Sequence, residues 1–232
     1  EFKGDYFQVF VIEIDNEDQI IKAKNEENYQ IMVMSIYNRI KSHMEQIEYC
    51  ELFHLSTNNF VILFNNNVPG KNDIVYDALE KLLTEAKEQL NITLSVGVGE
   101  ILEGISSIKT SYNQALHALK YKIILGGGNI INIWDLEKND HTPVTDFSEE
   151  EFINKVKLNQ KEEVKKFLDD IFRSIKNSQA SINLYGLNLI CMRIITSCLV
   201  ALEKTKTPLE STGENKWSNP FSSFLKLKTL DE

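Results

Sequence analysis

The stretch HLSTNNFVILF, from His54 to Phe64, has the pattern of a β-hairpin and decides how the rest of the chain is interpreted. A polar tip of Ser-Thr-Asn-Asn separates a short apolar lead-in from the nearly all-apolar run Phe60 to Phe64. Tight hairpin tips favour Gly, Asn or Asp, because their central residues commonly take positive φ. The tip has no glycine, so we expect Asn58 and Asn59 to adopt that conformation.

Strand and helix patterns alternate on both sides of this hairpin. Runs rich in β-branched and aromatic residues predict strands at 6–15, 91–100 and 129–135. Apolar residues at helical spacing predict helices over 32–47, 74–90 and 107–125. The order is β-α-β-β-α-β-α-β, which predicts an α+β sandwich with helices covering a central sheet.

A polar stretch, LEKNDHTPVTD, interrupts the pattern and predicts a boundary between domains of residues 1–138 and 139–232. The second part has helical patterns only. Ser148 is expected to cap its first helix, because three acidic residues follow directly. Apolar stripes over 164–175 and 187–202 predict an antiparallel helical pair.

Composition excludes several functional classes. The 232 residues carry a formal net charge of -9, which argues against a nucleic-acid surface on this part of the protein. Three scattered cysteines form no disulfide framework and fit a reducing, cytoplasmic location. The longest apolar run, 184–202, is interrupted by Asn188, Arg193 and Ser197, so we expect a core helix without membrane contact.

Few residues have the arrangement of a catalytic or metal site. Glu13 and Asp15 are two apart on a strand, so their side chains point to the same face and can share a Mg²⁺ ion. In the alternative, one of them turns the chain and the other faces solvent. The glycine run 126–128 follows a helix and precedes a strand, which indicates a helix C-cap and not a phosphate loop. No catalytic triad can be assembled, and no cofactor is predicted.

On these patterns, residues 5–135 resemble the GGDEF fold of diguanylate cyclases. In that family a strand-turn-strand hairpin carries the signature Arg-x-Gly-Gly-Asp/Glu-Glu-Phe. Glu13 and Asp15 match the family's Asp-x-Asp end of the first strand, and LSVGVG is similar to its Ser-Ile-Gly strand. The signature falls here on His54, Leu55, Ser56, Thr57, Asn58, Asn59 and Phe60.

The departures from that signature imply that catalysis has been lost. Ser56 and Thr57 replace the two glycines that let a nucleotide lie on the hairpin. Asn58 and Asn59 replace both acidic residues, and neutral amides are poor ligands for the Mg²⁺ that phosphoryl transfer requires.

A closer resemblance is to the degenerate GGDEF-like regulatory domain of AraC-type transcription regulators, especially long response regulators of two-component systems. It is carried by Ser111, Tyr112 and Ala115 within ISSIKTSYNQALHALKYKIILGGGNII, by the helical segment 148–204, and by the final LKTLDE. It implies a non-catalytic signalling domain that couples an upstream receiver or sensor to a helix-turn-helix domain expected after Glu232.

The same resemblance implies a homodimer and DNA contact only through that later domain. Two alternatives stay open: a domain that senses a nucleotide or small molecule, and a weakly active nucleotide cyclase that uses Glu13 and Asp15.

Overall fold

The computed structural model describes residues 2–15, 17–68, 70, 72–137, 147–177 and 184–205. The chain divides into two units, Glu1–Lys138 and Asn139–Glu232.

Strands and helices alternate in the first unit. The strands are β1 (Tyr6–Ile14), β2 (Cys50–Ser56), β3 (Asn59–Asn66), β4 (Leu94–Val98), β5 (Leu102–Glu103) and β6 (Ile130–Asn132). The helices are α1 (Glu17–Lys24), α2 (Glu26–Met44), α3 (Asp73–Leu90), α4 (Ile108–Lys120), α5 (Lys122–Leu125) and α6 (Ile133–Glu137), with a 3-10 turn at Ile105–Ser107. The predicted α+β class and the predicted hairpin over His54 to Phe64 are confirmed.

One mixed sheet organises these strands in the order β2-β3-β1-β4-β6, with β5 paired to β1. Neighbouring strands are antiparallel except β4 and β6, which are parallel. β1 lies at the centre and is buried on both faces, which explains its nearly continuous apolar sequence. Phe10, Ile12 and Ile14 pack with α2 and α3, whereas Val9 and Val11 pack with α4.

Two glycines bring α4 close to β4. A Cβ atom on Gly97 would meet the Ala115 carbonyl oxygen, and one on Gly99 would meet the Ser111 carbonyl oxygen. The absence of a side chain at both positions therefore lets the backbone of α4 approach this part of the sheet closely.

Several predicted boundaries differ from the structure. A separate helix, α1, precedes α2, because Asn25 takes a φ of 67° and its side chain accepts a hydrogen bond from the Asn28 N–H at 3.0 Å. The predicted strand at 129–135 was wrong beyond Asn132, where α6 begins. The predicted helix at 107–125 is divided at Tyr121 into α4 and α5.

Helices α7 (Glu149–Lys157), α8 (Lys161–Asn177) and α9 (Leu184–Thr205) form the described part of the second unit. Ser148 caps α7 as predicted: its Oγ accepts a hydrogen bond from the Glu151 N–H at 3.2 Å. The predicted direct pairing of α8 with α9 was wrong: among the described helices of this unit, α8 and α9 each pack mainly on α7. The ring of the buried Phe152 meets that of Phe167 at 5.3 Å and supplies part of this packing.

Helix α9 is apolar around much of its circumference. By length and composition alone, Leu184–Lys204 would be able to cross a membrane, although a core helix of a soluble protein passes the same test. The expected core role holds for one face only: Leu187 and Ile190 are buried, whereas Tyr185, Leu189 and Met192 are exposed. The mean hydropathy of an 18-residue window within Leu184–Lys204 is 1.7 even with the polar residues at positions 188, 193 and 197 included.

Candidate functional site

The hairpin tip is built by a bulge instead of by positive φ angles. His54 pairs with Phe60 and Ser56 pairs with Asn59, so Leu55 is an extra residue on β2 and the turn consists of residues 57 and 58. A bulge increases the local twist, which lets the strands reverse without a primed turn. The expectation of positive φ at Asn58 and Asn59 was wrong: within the described residues, the non-glycine residues with positive φ are Asn25, Tyr49, Asn91 and Asn159.

Polar side chains at the tip are hydrogen-bonded to one another. Ser56 Oγ donates to Asn58 Oδ1 at 3.2 Å, and Asn59 Nδ2 donates to the same Oδ1 at 2.9 Å and to Ser56 Oγ at 3.1 Å. Thr57 Oγ1 donates to Glu17 Oε1 at 3.3 Å. The asparagines therefore serve as mutual partners, with the Asn58 carbonyl also accepting the Ile14 N–H at 2.9 Å.

Phe60 anchors the tip in the core. Its side chain is fully buried, and its ring stacks on the ring of His54 with centroids 4.9 Å apart. The signature residues 56–59 thus lie at the surface above a fixed aromatic pair.

The two carboxylates predicted as metal candidates lie together at the end of β1. In the sheet, Glu13 is opposite Asn59 of β3 and Ser95 of β4. Asp15 follows the strand, and its N–H donates to the Thr93 carbonyl at 2.9 Å. Asp15 lies in a turn, as the alternative expected of one of the two residues. The side chain of Asp15 is 5% exposed and that of Glu13 is 18% exposed, so the other part of the alternative, a carboxylate that faces solvent, does not hold.

A lysine that the sequence analysis did not single out lies between these carboxylates. Lys122 Nζ is 2.7 Å from Glu13 Oε1 and 3.0 Å from Asp15 Oδ1, and its side chain is 7% exposed. Ser95 Oγ donates to Asp15 at 2.8 and 3.0 Å, and the Gly128 N–H donates to Asp15 Oδ2 at 3.1 Å. We call Glu13, Asp15, Ser95, Lys122 and Gly128 the Lys122 cluster.

The ammonium form of Lys122 is favoured by these contacts. Burial by itself lowers the pKa of Lys122. The charge and hydrogen bond of Glu13, followed by those of Asp15, raise the pKa by more than burial lowers it. The net result is a pKa above the ordinary value of 10.5. The cluster therefore contains one positive and two negative groups when Glu13 and Asp15 are ionised.

The glycine run completes the cluster. Gly126 ends α5 with a φ of 82°, and its N–H donates to the Lys122 carbonyl at 2.9 Å, which confirms the predicted C-cap. A Cβ atom on Gly127 would lie 2.7 Å from Asp15 Oδ2. The run thus ends the helix and also lets the backbone approach a buried carboxylate, a second role that the sequence did not reveal.

Other reactive groups lie outside these sites. Within the described ranges, no three His, Cys, Asp or Glu residues are grouped in a way that would hold a metal ion. Burial, followed by the nearby charge of Glu51, raises the pKa of Cys50 to about 12, and burial raises that of Cys191 to about 11. Thiols with such high pKa values are poor nucleophiles at neutral pH.

Comparison with known proteins assigns the fold to a class and then to a family. The topology is that of the GGDEF and nucleotide-cyclase fold class. The family model for the GGDEF-like domain matches residues 3–121, just over half of the 232 residues. The chain belongs to the GGDEF-like domain family. No curated protein matches the sequence significantly.

Solved structures of this class are similar at low identity. The active GGEEF domain of a diguanylate cyclase from Vibrio cholerae is 17% identical, with 56% of this chain and 83% of that chain covered and a TM-score of 0.46. The FimX GGDEF domain from Pseudomonas aeruginosa is 18% identical, with 54% and 80% covered and a TM-score of 0.46. The GGDEF domain of DgcB from Caulobacter crescentus, in complex with c-di-GMP, is 15% identical, with 56% and 78% covered and a TM-score of 0.44.

Proposed function

We propose that this chain is a non-catalytic signal-transducing domain of a bacterial transcription regulator. The observation that carries the proposal is the hairpin tip, where the polar side chains of Ser56, Asn58 and Asn59 bond to one another. A nucleotide laid on such a hairpin would have to displace these bonds and the side chains that form them. Backbone glycines, which let a ligand approach closely, are absent from residues 54–64.

The electrostatics of the tip support the same proposal. Phosphoryl transfer needs metal ions that neutralise developing charge, and Mg²⁺ prefers carboxylate oxygens. Asn58 and Asn59 supply neutral amides. The carboxylate of Glu17, which contacts the tip at Thr57, accepts hydrogen bonds from Thr57 at 3.3 Å and from Tyr29 at 2.9 Å. The remaining pair, Glu13 and Asp15, binds the Lys122 ammonium.

The proposed context is a cytoplasmic AraC-type regulator of the response-regulator kind. In that context an upstream receiver or sensor acts on this domain, and a helix-turn-helix domain elsewhere in the protein binds DNA. The net charge of -9 supports assigning DNA contact to another part. Ser111, one hallmark of the resemblance, has a structural role: its Oγ accepts the Val9 N–H at 3.0 Å and donates to the Glu100 carbonyl at 2.7 Å.

A second copy of the chain is the proposed partner of the helical unit. Tyr185, Leu189 and Met192 are exposed at positions i, i+4 and i+7 and form a stripe along α9. Regulators that bind paired half-sites are commonly two-fold symmetric, and a symmetric dimer places the same stripe on both sides of its interface.

A weakly active cyclase is the competing candidate, and one observation favours it. Glu13 and Asp15 lie close enough to contact a single cation at the end of β1, as a metal-binding pair would. A domain that binds nucleotide without turnover is the third possibility.

Calorimetric titration separates the three functions. The protein is titrated with GTP and with c-di-GMP in the presence of Mn²⁺, and the mixtures are then assayed for product. We expect neither binding heat nor product. Binding heat without product would show that the domain is a nucleotide sensor and not the proposed ligand-free signalling domain. Product would show that it is a cyclase.

A further inference from the structure

The Lys122 ammonium occupies the position of a cation between two carboxylates. We propose that Lys122 is the resident cation of the Glu13–Asp15 pair, and that it excludes divalent metal ions from this pair. The lysine is then the residue that determines which cation the end of β1 accepts. This inference deepens the proposed function and rests on it in one respect, namely that the carboxylates do not use a metal in catalysis.

The contact distances show why a metal ion and the ammonium compete. Lys122 Nζ lies 2.7 Å from one carboxylate and 3.0 Å from the other, so it bridges them directly. A Mg²⁺ ion bound to the same oxygens would sit about 2.0–2.1 Å from each. Two cations cannot share this space, because their charges repel at such short range in a poorly solvated site.

The ammonium cannot easily leave. The side chain of Lys122 is 7% exposed, and the Lys122 carbonyl accepts the Gly126 N–H at the end of α5. Moving the charged group into water would therefore require the buried stem or the helix end to shift. A divalent ion would have to supply that rearrangement energy in addition to its own dehydration.

The rest of the cluster would remain after the lysine is removed. Ser95 and Gly128 donate to Asp15 and hold its carboxylate beside that of Glu13. Without Lys122, two adjacent carboxylates would lose their positive partner. Such a pair lowers its energy by binding a cation.

Replacing Lys122 with methionine tests the proposal, and Mn²⁺ is the probe. Free Mn²⁺ is measured by electron paramagnetic resonance in titrations of the wild-type chain, Lys122→Met and Lys120→Met. Lys120→Met removes the same positive charge, but from an exposed position at the end of α4, so it controls for the change in net charge. We expect Lys122→Met to bind Mn²⁺ at least about tenfold more tightly than both other proteins, the scale on which changes next to metal ligands act.

A double variant locates the bound ion. Adding Glu13→Gln to Lys122→Met removes one of the two carboxylates, and we expect the gained Mn²⁺ affinity to disappear. Equal Mn²⁺ affinity of the wild-type chain and Lys122→Met would overturn the proposal. Retention of the gained affinity in the double variant would overturn it as well, because the ion would then lie elsewhere.

Thermal unfolding covers the case in which Lys122→Met is unstable. A variant that unfolds in chelator but regains its transition with Mn²⁺ supports the proposal. A variant that stays unfolded with Mn²⁺, while Glu13→Gln/Lys122→Met folds, contradicts it. A wild-type chain that binds Mn²⁺ at this pair yet makes no product would refute this inference and leave the proposed function intact.

Discussion

Replacement of Lys122 by methionine in the presence of a chelator should destabilise the first unit substantially. Methionine keeps an unbranched stem but removes the charge that balances Glu13 and Asp15. Removing one partner of a buried ion pair costs about 3–5 kcal/mol, because the remaining charge is left uncompensated. Asp15 keeps donors from Ser95 and Gly128, and Glu13 is 18% exposed, so we expect about 3 kcal/mol, the lower end of that range.

Calorimetric unfolding measures this cost. For a unit that ends at residue 138, a loss of about 3 kcal/mol corresponds to a fall of roughly 10 °C in Tm. Lys120→Met is the matched control, since Lys120 is exposed, and its Tm should stay close to that of the wild type.

A third variant tests the electrostatic reasoning itself. Glu13→Gln/Lys122→Met removes one negative charge along with the positive one, so it should be more stable than Lys122→Met alone. The reasoning is refuted if Lys122→Met unfolds at the same temperature as Lys120→Met, or if adding Glu13→Gln lowers Tm further.

Three further outcomes follow from described contacts. Gly127→Ala should lower the free energy of unfolding, measured with a chemical denaturant, by about 1–3 kcal/mol, because the new Cβ would lie 2.7 Å from Asp15 Oδ2. A variant as stable as the wild type would contradict this close approach. The pKa of Lys122 is raised above 10.5 in the folded protein, so the stability that its charge contributes is complete below the unfolded pKa and is lost as pH rises through the folded pKa. The difference in unfolding free energy between the wild type and Lys122→Met should therefore shrink across that alkaline range. A constant difference would argue against a charge effect. Leu189→Glu, at an exposed α9 position, should convert a dimer to a monomer in light scattering, whereas a wild-type chain that is already monomeric at high concentration would count against self-association.

Local patterns predicted the strands and helices well where the periodicity was strong. The buried β1 and the hairpin 50–66 are rich in β-branched and aromatic residues, which favour strands, and Ser148 precedes three acidic residues, as an N-cap commonly does. The tip conformation could not be predicted, because the bulge at Leu55 depends on the register of β2 against β3. Asn72 occupies the N-cap position of α3, but its side chain makes no capping hydrogen bond and donates instead to Gln8 Oε1 at 2.7 Å.

Two of the five residues of the Lys122 cluster were identified from the sequence as a candidate site. Glu13 and Asp15 were recognised because their spacing puts them on one face of a strand. Lys122 is 109 residues from Glu13 and 107 from Asp15, and no local pattern connects them. The available signal was a lysine followed by Ile123, Ile124 and Leu125, where a charge next to an apolar turn needs a partner.

Product analysis after incubation with GTP tests the proposed loss of catalysis most directly. The wild-type chain and Asp15→Ala are incubated with GTP and either Mg²⁺ or Mn²⁺, beside a no-protein control, and c-di-GMP is quantified by mass spectrometry. We expect no product above the control from either protein, since Asn58 and Asn59 provide no carboxylate and Lys122 binds the remaining pair. Product that the wild-type chain forms and Asp15→Ala does not would contradict the proposal and establish an active cyclase.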